Sequence, residues 1–72
     1  MEVEMYSLVG VDGNAYSLMG YTANAMKRHG FTKDEIDQMY KEATAGYYNN
    51  LICVCDGYIS KVNERLGDEE DD

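Results

Sequence analysis

Apolar side chains recur along this chain with two different periods. In residues 3–11, VEMYSLVGV, they occupy both parities: Val3, Met5, Val9 and Val11 on one, Tyr6 and Leu8 on the other. A run rich in β-branched and aromatic residues with this pattern predicts a strand covered on both faces. From Ala15 the spacing changes to threes and fours, the mark of a helical stripe. Ala15, Leu18, Met19, Thr22 and Met26 predict a first helix over about 15–29. Ile36, Met39, Tyr40 and Ala43 predict a second over about 33–45. Leu51, Ile52, Cys55, Tyr58, Ile59, Val62 and Leu66 predict a third over about 50–66. The expected fold class is mainly α: three short helices preceded by one N-terminal β-strand.

The residues between these stripes support the same division. Asp12-Gly13 is a turn signal and Asn14 a good N-cap for the first helix. Lys27, Arg28 and His29 fall in its last turn, where the helix dipole favours positive charge. Gly30 suits the left-handed position just past the end. Thr32 and Glu35 form a capping box, and Phe31 with Ile36 a hydrophobic staple, so Phe31 is expected to set the angle between two helices while closing on Met26. Gly46 is expected to stop the second helix, Asn50 to cap the third, and Gly67 to end it. Gly20 and Gly57 lie inside helices at a cost of roughly 1 kcal/mol each relative to Ala. Their expected role is to permit close approach of another helix. A lone strand leaves backbone groups unpaired. It is therefore an ordered arm, or pairs with the same strand of a second copy, or adds to a sheet of a target. A homo-oligomer through this strand is the expectation.

The 72 residues imply one small domain, assigned to 1–67, with a marginal core. No apolar run is long enough to span a membrane. The opening residues carry acids where a signal peptide needs bases, so no secretion signal is expected. Cys53 and Cys55 are two residues apart, on nearly opposite faces of a helix, and do not bridge each other. Cys55 is expected in the core and Cys53 as a partly exposed thiol in a reducing, cytoplasmic setting. The net charge is −8. Asp68, Glu69, Glu70, Asp71 and Asp72 supply five of the 14 acids and are expected to form a disordered acidic tail, 68–72. Without them nine acids face six bases, a net charge of −3. No basic patch exists to displace counterions from phosphate, so direct nucleic-acid binding is excluded as an expectation.

Candidate chemistry narrows the field further. The Gly-rich stretch Val9-Gly10-Val11-Asp12-Gly13 lacks the spacing of a dinucleotide fingerprint and the Walker lysine, and Asp12 would repel phosphate. The spaced acids of a calcium loop are missing. His29 is read as serving the helix end. A thiol–imidazole pair from His29 and either cysteine has nothing to hold it together. Asp34, Glu35, Asp37 and Glu42 read as capping and solvent-facing charge. No catalytic, cofactor or metal residues are assigned, and the chain is expected not to be an enzyme. Tyrosine is the unusual residue, with seven copies and no tryptophan. Tyrosine is enriched at protein interfaces because it offers large contact area with a polar tip. The candidate partner-binding residues are therefore Tyr6, Tyr16, Tyr21, Tyr47 and Tyr48, together with the acids Asp68, Glu69 and Glu70.

The segments Asp12-Gly-Asn-Ala-Tyr-Ser-Leu-Met-Gly-Tyr, Ala-Met-Lys-Arg-His-Gly-Phe and Glu-Ala-Thr-Ala-Gly-Tyr-Tyr-Asn-Asn-Leu resemble a group of short proteins of bacteriophages and mobile elements of gut Firmicutes. The likeness covers Tyr6 to Val62. It implies a non-enzymatic accessory protein acting in the cytoplasm of a bacterial host. Its expected action is inhibition of a host defence system by protein binding, in the way of anti-CRISPR proteins, including DNA mimicry towards a basic nucleic-acid-binding nuclease. The alternative is an oligomeric sponge that sequesters a nucleotide signal, with Asn14, Lys27 or Arg28 on phosphate. Gly30-Phe31-Thr32, with Ala43-Thr44 and a third apolar helix, is also similar to the ubiquitin-associated three-helix domain. That family has methionine before its Gly-Phe where this chain has His29, and lacks the long first helix and N-terminal strand. It implies a protein-binding module.

Overall fold

The computed structural model describes residues 5–70. Three helices follow in order: α1, Ala15–Arg28; α2, Lys33–Ala43; α3, Tyr48–Glu70. Each packs against the other two. The core takes Leu18, Met19, Ala25 and Met26 from α1, Met39 and Ala43 from α2, and Leu51, Cys55, Ile59 and Val62 from α3. Thr22 is the buried polar residue of this interior, and its hydroxyl donates to the Leu18 carbonyl at 2.8 Å. That bond removes the desolvation cost a lone buried hydroxyl would carry. Tyr40 and Ile52, placed by periodicity on the buried stripes, are exposed. They stand beside the stripe residues Met39 and Leu51, and so at the edge of each buried face.

The helix ends follow local chemistry closely. The Asn14 side chain accepts the Tyr16 N–H at 2.8 Å, and Asp12 Oδ1 accepts the Asn14 N–H at 3.1 Å. At the far end of α1, Gly30 has φ +84°. The Phe31 N–H reaches back to the Met26 carbonyl at 3.1 Å and the Gly30 N–H to Lys27 at 3.4 Å, the paired bonds of a Schellman ending. Thr32 and Glu35 form both halves of the capping box, at 3.1 and 2.8 Å. The carboxyl of Glu35 is held below its ordinary range, first by the Thr32 N–H.

Other boundaries moved. α2 stops at Ala43, where Thr44 turns its hydroxyl onto the Tyr40 carbonyl at 2.8 Å. α3 begins at Tyr48 rather than after an Asn50 cap. The Tyr47 carbonyl accepts the Leu51 N–H at 3.1 Å, while Asn50 Nδ2 donates to the Glu42 carbonyl at 2.9 Å. Gly67 does not end α3, and the backbone of residues 68–70 continues the helix. Asp71 and Asp72 of the expected tail lie outside the described residues. A Cβ added at Gly20 or Gly57 would meet no atom within 4 Å, so neither glycine serves close helix approach among the described residues.

The expected N-terminal β-strand is absent among the described residues; its positions 3 and 4 lie outside them. Residues 5–11 instead form an ordered arm across α1 and α3. Asn63 of α3 takes the role a neighbouring strand would play: its Oδ1 accepts the Tyr6 N–H and its Nδ2 donates to the Tyr6 carbonyl, both at 2.9 Å. The Tyr21 hydroxyl accepts the Ser7 N–H at 2.9 Å. The chain then turns, with the Val11 N–H on the Leu8 carbonyl at 3.1 Å and Gly10 at φ +86°. Tyr6, Leu8 and Val11 pack against the core while Met5 and Val9 face out. The two-parity pattern was therefore a turning arm with one covered side, and the Tyr6 backbone is paired within the chain. None of the described helices is long and apolar enough to cross a membrane.

Candidate functional site

The start of α1, the end of α2 and the start of α3 converge on one groove of about 360 Å³. Buried Met19, Ala43 and Leu51 supply its apolar base, and Tyr16, Tyr47 and Tyr48 surround it. The Asn14 cap fixes the first turn of α1, which sets Ala15 and Met19 one turn apart along the same wall. Tyr48 is steered by its hydroxyl, which donates to the Gly13 carbonyl. On the third side Gly46 allows the α2–α3 link to close tightly. A Cβ there would stand 3.0 Å from the Asn50 Cβ, while Asn50 itself ties α3 back to the last turn of α2.

No charged side chain lines the groove. Tyr16 is 83%, Tyr47 93% and Tyr48 46% exposed. Exposed tyrosines beside an apolar depression give a surface that gains free energy when covered and keeps polar tips for hydrogen bonds. Filling it with one large apolar side chain is worth about 1.5–3 kcal/mol by area removed from water.

Of the sequence-predicted partner residues, the structure thus brings Tyr16, Tyr47 and Tyr48 together. It places Tyr6 and Tyr21 elsewhere: Tyr21 stands in the middle of α1, and Tyr6 lies on the arm between it and His29. Their rings meet edge-on at 5.9 Å, and the Tyr6 ring meets His29 at 5.5 Å. The Tyr6 hydroxyl and His29 Nε2 are hydrogen-bonded at 3.1 Å. These two tyrosines hold the arm. The backbone of the candidate acids Asp68, Glu69 and Glu70 continues α3. Asn14 and Arg28 sit at opposite ends of α1, about 20 Å apart at 1.5 Å per residue. Within one copy they cannot hold one phosphate.

Cys55 is buried and Cys53 exposed, as expected. Burial pushes the Cys55 thiol up, opposed by a hydrogen bond with Thr22, which leaves it a poor nucleophile. Glu42 gathers Gln38 Nε2 at 2.9 Å and the Tyr58 hydroxyl at 3.2 Å. The Tyr58 hydroxyl is pushed up by burial and then by the Glu42 charge. Arg65 lies 3.9 Å over the Phe31 ring and donates to the His29 carbonyl at 2.9 Å, locking the α1–α2 link to α3. Among the described residues no three His, Cys, Asp or Glu side chains gather as a metal-binding group.

Asn63 is the residue that sequence reasoning missed. Its one visible signal is position: it follows Ile59 by a helical turn, so an amide stands on a largely apolar face. No family model, no curated protein and no solved structure matches this chain.

Proposed function

We propose that this chain is a non-enzymatic binding module that holds a partner protein in the groove bordered by Tyr16, Tyr47 and Tyr48. The observation that carries the reading is the gathering of these exposed tyrosines around an apolar, uncharged depression. The occupant is a protein segment with one large apolar side chain for the groove and lysine or arginine beside it. The net charge of −8 supports the basic part, since a field of that sign steers a basic partner inward. Inhibition of a host defence protein, including a basic nuclease, is the form of this activity that the resemblance to phage accessory proteins implies.

Groove and charge make separable contributions. Tyrosine contacts slow dissociation, whereas surface acids speed association and confer salt dependence. The test is selection from a displayed random-peptide library on the immobilised full chain. Enrichment of peptides with an apolar residue flanked by Lys or Arg is expected, with binding cut at least tenfold in Tyr16→Ala and Tyr47→Ala. Peptides that bind both variants as well as the parent chain, or no enrichment, would overturn the proposal.

A further inference from the structure

We propose that the cleft between the N-terminal arm and α1 binds a small organic carboxylate, held by the Arg28 guanidinium, the Tyr21 hydroxyl and the Asn24 amide. The cleft shares no described residue with the tyrosine-bordered groove, so the two proposals stand or fall separately.

One wall of the site is a single face of a helix. Tyr21, Asn24 and Arg28 follow one another at three- and four-residue spacings, which stacks them on one side of α1. Long helical side chains lean towards the N-terminus, so Arg28 reaches back over Asn24 and Ala25 towards Tyr21. The arm supplies the other wall. Asn63 fixes Tyr6 through both of its main-chain groups, and the Tyr6 ring stands edge-on to Tyr21. Two cavities of about 300 and 190 Å³ open here, both lined by Tyr6, Tyr21 and Arg28. Met5 adds an apolar side to the larger, and Asn24 and Ala25 line the smaller.

Three donor groups line these cavities, and the described residues leave all three unused. The Tyr21 oxygen accepts the Ser7 N–H at 2.9 Å, which leaves the hydroxyl proton to donate. The Arg28 guanidinium and the Asn24 amide make no hydrogen bond or ion pair among the described residues. No acid among the described residues lines either cavity, in a chain with 14 acids against six bases. The other cations near cavities are engaged or opposed. Arg65 is stacked on Phe31 and bonded to the His29 carbonyl, and the cavity that holds Lys61 also holds Asp34 and Glu35. An arginine fork with a hydroxyl and an amide beside it suits the two oxygens of a carboxylate. Charge selects the monoanion. One guanidinium matches one negative charge, whereas a phosphate dianion would bring a surplus charge onto a chain already at −8. The Tyr6 and Tyr21 rings and the Met5 side chain suit an apolar body attached to that carboxylate.

NMR titration of the full chain with benzoate tests this. Benzamide is the uncharged control of the same shape, and inorganic phosphate the competing anion. Benzoate at millimolar concentrations should shift the Tyr21 ring, Asn24 side-chain amide and Arg28 Nε–H signals together and saturably. Benzamide and phosphate should need at least tenfold higher concentrations for the same shift. Arg28→Gln should weaken benzoate binding at least tenfold, and Arg28→Lys, which keeps the charge and loses the fork, several-fold. Arg28 is exposed, so both variants should keep the parent's helical circular dichroism, which separates a lost contact from a lost fold. Benzamide that binds as well as benzoate, phosphate that binds more tightly, or an Arg28→Gln chain that binds benzoate like the parent would each overturn the proposal. So would benzoate shifts that are absent, or that fall instead on Met19, Ala43 and Leu51, and neither result would count against the tyrosine groove.

Discussion

Replacing Asn63 by alanine removes both hydrogen bonds that hold the Tyr6 backbone, and its cost follows from the geometry. Each is a 2.9 Å bond at a part-buried site, and such bonds contribute about 0.5–1.5 kcal/mol each. The direct loss is therefore about 1–3 kcal/mol. Two features hold it towards the lower end. The arm can swing into water, so the orphaned Tyr6 groups regain hydrogen bonds there. The loss also cannot exceed the whole free energy of arm docking, after which α1, α2 and α3 remain packed. For a domain of this size about 1 kcal/mol shifts the melting temperature by roughly 4–8 °C. Thermal unfolding followed by circular dichroism should thus show a drop of roughly 4–12 °C with the folded helical signal kept. Amide exchange should accelerate at Tyr6 and Ser7 and stay slow at Met26 and Val62. Because Tyr6→Ala unseats the same arm, the double variant should cost much less than the sum of the singles. Additive losses, or a Tyr6 amide that already exchanges freely in the parent chain, would refute the idea that Asn63 latches the arm.

Other consequences are more local. Gly46→Ala sets a Cβ 3.0 Å from the Asn50 Cβ, pushing Asn50 off the Glu42 carbonyl; a loss of about 1–2 kcal/mol is expected in urea denaturation, reduced but not abolished in an Asn50→Ala background, which keeps the Cβ and lacks the amide. Glu35 has a lowered carboxyl pKa in the folded chain, so its contribution to stability is present above its ordinary value of 4.5 and fades as pH falls through the folded value. Thr32→Ala removes the hydroxyl half of the capping box and should shrink that acid-side loss, read as a flatter dependence of the urea midpoint on pH below 4.5. A thiol reagent should label Cys53 alone in the native chain and both cysteines in denaturant, counted by mass spectrometry; equal native rates would show that Cys55 is not held in the core.

The three helices were legible because their signals are local and mutually consistent. The stripe through Leu18, Met19, Thr22 and Met26 and the box at Thr32 and Glu35 require nothing beyond their own neighbourhoods. The arm was misread for the opposite reason. Whether Tyr6 pairs with a strand or with a side chain is decided by Asn63, 57 residues away, and no local rule links the two. Asn50 shows the same limit on a smaller scale: a good capping residue was drawn instead to the Glu42 carbonyl by the closure at Gly46. For the candidate site, tyrosine abundance marked the right residue type. Composition could not divide Tyr6 and Tyr21, which hold the arm, from Tyr16, Tyr47 and Tyr48, which border a groove. That division depends on which helix ends meet.

The measurement that bears most directly on the central claim is methyl NMR during titration with a selected peptide. If the tyrosine-bordered groove is the binding site, the methyl signals of Met19, Ala43 and Leu51 should shift together and saturably, while those of Met5 and Val9 on the arm stay in place. Shifts confined to the arm, or to Leu66 towards the acidic end of α3, would contradict it.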